Sequence, residues 1–105
     1  MANATDGNRT RIERVQTGIR VEKRILKVLK GLAELLDISL GDLMEGIVLH
    51  AFDGKAPFSR ETLDRIADLK SIYGLDLDSS DSHRMVEVTP PARGKPRKPS
   101  AKRAR

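Results

Sequence analysis

The side chains most able to do chemistry in this chain are its cations, and they sit at its two ends. Residues 1–24 hold six Lys or Arg against three acids. Residues 25–89 reverse the balance, with seven against twelve, and residues 90–105 carry seven basic groups and no acid. The formal charge of +5 is therefore an average over a basic arm, an acidic middle and a basic tail. Clustered Lys and Arg attract polyanions, nucleic acid first, because each neutralised phosphate releases a condensed counterion. Arg9, Arg11, Arg14 and Arg20 supply the arm. Arg93, Lys95, Arg97, Lys98, Lys102, Arg103 and Arg105 supply the tail, which is expected to give nonspecific DNA affinity.

Other chemistry finds little support. His50 and His83 are isolated, with no nucleophile nearby, no Gly-rich phosphate loop and no His/Glu metal spacing. No catalytic residue, metal or cofactor is expected, and the chain reads as a non-enzyme. Asp76, Asp78, Ser80 and Glu87 fall at calcium-loop positions one, three, five and twelve. Asp81 occupies position six, where the sharp turn needs Gly, and Pro90 and Pro91 stand where a helix should follow, so the segment reads as an acidic loop. Phe52, Phe58 and Tyr73 are the only aromatics, too few for a base-stacking platform on single strands.

The elements that position the arm's cations begin with Val15-Gln16-Thr17-Gly18-Ile19-Arg20-Val21. Val15, Thr17, Ile19 and Val21 alternate with Gln16, Gly18 and Arg20, the period-two pattern of a half-buried strand. A lone strand leaves its ladder groups unpaired, and no second good strand follows. The simplest partner is the same strand of another copy, which predicts a homodimer. An ordered region near 60 residues is marginal alone, and without Cys no disulfide reinforces it.

Helical periodicity follows. A first helix is expected over 22–36, with Ile25, Leu29, Leu32 and Leu36 on one stripe and Leu26 and Ala33 beside it. Val28 and Leu35 widen that surface, and Gly31 is a weak point within it. Ser39 caps a second helix over 40–52, whose stripe is Leu40, Leu43, Met44, Ile47, Val48, Ala51 and Phe52. Ser59 caps a third over 60–73, with Gly74 after it as a left-handed cap; this helix is expected on the outside of the core. Val86 and Val88 hint at a short strand. A helix-turn-helix with the second helix as reader is the disfavoured alternative, because Asp42, Glu45 and Asp53 face outward with no Lys or Arg among them.

Strand, helix, short turn and helix at this spacing resemble the ribbon-helix-helix family of the Arc and methionine repressors. Ile19-Arg20-Val21 stands for the strand end. Ile25, Leu29, Leu32 and Leu36 stand for the first helix core, Ile38-Ser39 for the turn, and Leu43, Ile47, Val48 and Phe52 for the second helix core. The resemblance covers about residues 14–53. It implies a mainly α fold with one short strand: an intertwined homodimer whose antiparallel two-stranded ribbon enters the major groove, here with an extra C-terminal helix. Carried over by position, Gln16, Gly18 and Arg20 face the bases, where Arg suits guanine and Gln adenine. Arg14 and the helix start at Ser39 and Leu40 face phosphates. Gly18 brings no side chain to that face, Asp37 stands where Gly is usual, and Gly41 and Asp42 weaken the phosphate clamp.

The resulting organisation is an arm (1–11) expected to be disordered, a ribbon-helix-helix domain (12–54), a linker and third helix (55–75), an acidic or mixed loop (76–89) and a basic tail (90–105), also expected to be disordered. The expected function is sequence-specific binding of double-stranded DNA by a homodimeric transcriptional regulator, with higher-order assembly along DNA open to it. The alternative is an antitoxin-like interaction module, in which residues 55–89 bind a partner protein and the tail gives only nonspecific DNA binding. No signal peptide or membrane span is seen in the sequence, which predicts a cytoplasmic, nucleoid-associated protein.

Overall fold

The computed structural model describes residues 9–88. Three α-helices make up most of its regular structure: α1 (Lys23–Leu36), α2 (Leu40–Phe52) and α3 (Arg60–Tyr73). Each begins on a side-chain cap. The Glu22 carboxylate accepts from the Ile25 N–H at 2.9 Å, so Glu22 caps α1 rather than opening it. Ser39 Oγ accepts from the Asp42 N–H at 3.1 Å, and Ser59 Oγ from the Thr62 N–H at 3.2 Å. These bonds satisfy donors that have no intrahelical acceptor.

The helix ends are equally local. Asp37 closes α1 in the left-handed region at φ 59°, while the Ile38 N–H returns to the Ala33 carbonyl at 3.0 Å. Gly is the residue that adopts this conformation without a Cβ penalty, and Asp is among the few others that tolerate it. Gly74 ends α3 at φ 68°, and the Leu75 N–H bonds the Lys70 carbonyl at 2.8 Å.

The expected ribbon is not present. Among the described residues there is no strand: 9–22 carries no regular structure, and 84–88 likewise forms none at Val86 and Val88. The fold is all-helical, which corrects the ribbon-helix-helix expectation together with its intermolecular two-stranded ribbon. The physical reason is the ladder. Alternation gives a segment two faces, but its backbone becomes a strand only against a second backbone, and no described segment pairs with residues 12–22.

The chain divides into two compact units, described to Leu75 and from Asp76. In the first, α1 packs on both α2 and α3. Val28, Leu32, Ala33, Leu43 and Leu69 form the buried core, with Leu29, Ile47, Phe58, Ile66 and Leu75 against it. Leu32 is only 1% exposed. The expected stripe of α1 is rotated: Val28 is buried, whereas Leu36 lies at the surface. The cause is α3, which is a core element rather than an outer one. Gly31 admits it, since a Cβ at that position would meet Leu69 Cδ2 at 3.0 Å and Tyr73 Cε2 at 3.6 Å. Lys27 Nζ lies 5.8 Å from the centre of the Tyr73 ring, and an Arg24 N–H donates to the Gly74 carbonyl at 3.0 Å.

In the second unit a short 3-10 turn, Ser79–Asp81, is held by a reciprocal cap. The Ser80 N–H donates to Asp78 Oδ1 and the Asp78 N–H to Asp81 Oδ2, both at 2.9 Å. Its acidic oxygens are engaged in local backbone capping. No helix among the described residues is long and apolar enough to cross a membrane.

Candidate nucleic-acid interface

Every residue from Arg9 to Val21 is exposed. The arm reaches α1 through the Glu22 cap and touches the helices again at α2. There the Nε and Nη2 groups of Arg14 donate to the two carboxylate oxygens of Glu45, each at 2.7 Å. Two residues earlier, Ile12 faces Met44, Val48 and Leu49 of α2 across a shallow apolar groove. Alternation places Ile12 and Arg14 on the same side of an extended chain. Turns of α2 place Glu45 beside Val48 and Leu49 at spacings of three and four.

The ion pair shifts both of its members. Hydrogen bonding from Arg14 holds the Glu45 carboxyl below its ordinary range, opposed by a smaller desolvation. Hydrogen bonds to Glu45, then its charge, raise the Arg14 pKa, with Asp42 adding a further electrostatic contribution. A forked guanidinium–carboxylate contact is the strong form of a surface ion pair.

The sequence-derived site residues are thus distributed as follows. Gln16, Gly18 and Arg20 are exposed along the arm, and nothing lies within 4 Å of where a Gly18 Cβ would stand. Arg14, expected at a phosphate, is engaged with Glu45. The Ser39 hydroxyl is engaged as the α2 cap, with Asp42 in that helix's first turn beside it and Leu40 half-buried. The seven tail cations, Arg93, Lys95, Arg97, Lys98, Lys102, Arg103 and Arg105, lie outside the described residues. Glu45 and Ile12 are the participants that sequence reasoning missed. Arg14 and Glu45 are 31 residues apart, so no local period links them, and only the opposite charges of arm and α2 pointed that way.

Much of the surface of the arm and of α2 is apolar. Val15 is 86% exposed, Ile19 65%, Leu49 62% and Phe52 79%. Ile12 and Val48 belong to the same surface. Compared with known proteins, the chain matches no family model, no curated protein and no solved structure.

Proposed function

We propose that this chain is a homodimeric regulator that binds double-stranded DNA. Its arm, residues 9–21, lies along a groove and its C-terminal tail adds nonspecific affinity. The observation that carries this reading is the arm itself: four arginines and one acid in thirteen residues, all exposed, beside an acidic helical body. An extended basic segment can follow a groove while its Arg and Gln side chains reach base edges. Gln16 and Arg20 are the reading residues, and Gly18 lets the backbone approach closely. The dimer is supported by the small core of the first unit, whose described residues set five buried side chains against thirteen exposed large apolar ones. A unit this small gains most from burying such surface against a second copy.

Selection from a random duplex pool tests it, using the full chain at physiological salt with excess nonspecific competitor to occupy the tail. Enrichment of paired short half-sites is expected. Arg20→Ala should cost about 1–3 kcal/mol of discrimination at one position of each half-site. A pool that stays random, or a site preference untouched by Arg20→Ala, overturns the reading.

A protein-interaction role has one observation of its own. Met85, Val86 and Val88 stand exposed in the second unit. Residues 60–75 do not serve that role as a free segment, because α3 packs on α1. A stoichiometric partner retained by Arg20→Ala and lost on Val86→Asp would favour this second role.

A further inference from the structure

Arg14 meets Glu45 through the same edge that it would present to a phosphodiester. Nε and Nη2 each donate at 2.7 Å to one oxygen of the carboxylate. The two non-bridging oxygens of a backbone phosphate offer the same fork, and arginine takes either anion in that way. One edge of one guanidinium cannot hold both. A second contact of the arm with α2 is light: Ile12 faces Met44, Val48 and Leu49 across an open groove and remains 59% exposed. Both side chains of the ion pair are in contact with water, at 60% and 40% exposure. Arg14 is therefore held where an incoming polyanion can reach it, by bonds that the polyanion can replace.

We infer that Glu45 acts as a phosphate mimic: it retains Arg14 on α2 in the free protein and is displaced by a backbone phosphate when duplex DNA binds. This rests on the DNA-binding role proposed above and adds a regulated step to it. In the free chain the Arg14–Glu45 fork and Ile12 keep the arm on α2. On the duplex, Arg14 transfers to phosphate, Ile12 leaves the groove, and residues 12–14 come away from α2. Glu45 and the nearby Asp42 are then left as carboxylates that repel phosphate. Release thus moves the arm away from the acidic helix as it engages DNA. Glu45 sets the threshold for binding, and weakening it favours the DNA-bound state.

The test is a double-mutant cycle on the full chain. Affinity for a fixed 20-base-pair duplex is measured by fluorescence anisotropy at one salt concentration, for wild type, Glu45→Gln, Arg14→Gln and the double variant. Glu45→Gln is expected to tighten binding about two- to five-fold, the range spanned by exposed ion pairs. Arg14→Gln is expected to weaken it, and the gain from Glu45→Gln is expected to vanish in the Arg14→Gln background. A gain of equal size in both backgrounds means simple repulsion of DNA by Glu45 and overturns the inference. Weaker binding by Glu45→Gln means that the pair positions the arm for DNA, which also overturns it. NMR provides the independent readout: the Arg14 Nε–H contact with Glu45 should be seen in the free protein and lost at saturating duplex. Its persistence on DNA refutes displacement while leaving the DNA-binding role intact. Failure of wild type to bind any duplex removes that role and the displacement with it.

Discussion

Helix α3 packs on α1 and the arm meets α2, and the two contacts differ in kind. Helix α3 is held by burial. Leu69 joins Val28 and Leu32 in the core, Gly31 leaves the space, and Tyr73 and Gly74 take up Lys27 and Arg24 at the far end. The arm meets α2 through an exposed ion pair at Arg14 and a half-seated isoleucine at Ile12. Burial resists solvent and salt, whereas an exposed ion pair exchanges with any competing anion. A segment fixed in the first way serves as scaffold, and one fixed in the second way is suited to changing partners. The nucleic-acid contact proposed above falls on the segment whose α2 contacts are of the second kind.

Substitutions at the two contacts sharpen the contrast. The largest effect is expected at the core side of α3. Leu69→Ala should lower unfolding free energy by about 2–5 kcal/mol, read by urea denaturation at fixed protein concentration. A change below the level of a surface substitution would break the claim that α3 is a core element. Next comes Gly31→Leu, which fills the space taken by Leu69 and should cost about 1–3 kcal/mol despite its better helix propensity. Stabilisation would mean that α3 sits farther from α1 than the 3.0 Å approach implies.

A smaller effect is expected where the arm joins α1. Glu22→Ala removes the cap and should cost about 1 kcal/mol, seen as fraying of the first turn in amide exchange. The Ile25 N–H bond, chiefly, holds the Glu22 carboxyl below its ordinary value of 4.5, with Arg24 assisting. Its stabilisation is therefore complete above pH 4.5 and fades as pH falls through the lowered folded value. Thermal melts between pH 3 and 7 should show this loss in the wild type, and it should be reduced in Glu22→Ala.

The smallest stability effect belongs to the arm. Arg14→Gln should leave the melting temperature unchanged while speeding tryptic cleavage after Arg11 and Arg20. A large drop in melting temperature would erase the distinction between the two segments and make the arm part of the scaffold.

The helices were legible in the sequence because their signals are local. The bounds of α2 and α3, the caps at Ser39 and Ser59 and the left-handed Gly74 each depend on residues within one or two turns. The charge separation along the chain was equally readable, being a property of composition. The candidate site was legible in part: its basic arm was found from charge, but its contact with α2 was not. Alternation from Val15 to Val21 was read as a strand, although period two specifies faces and not a pairing partner.

Local chemistry thus determined where this chain turns helical and where its charges lie. Tertiary structure alone decided which apolar residues are core. Val28 is buried and Leu36 is not because α3 approaches α1 at Gly31, a choice that the α1 stripe does not contain. It also decided that Arg14 meets Glu45, a contact across 31 residues. Both outcomes depend on elements distant in sequence meeting in space, and periodicity within a single helix carries no record of what will pack against it.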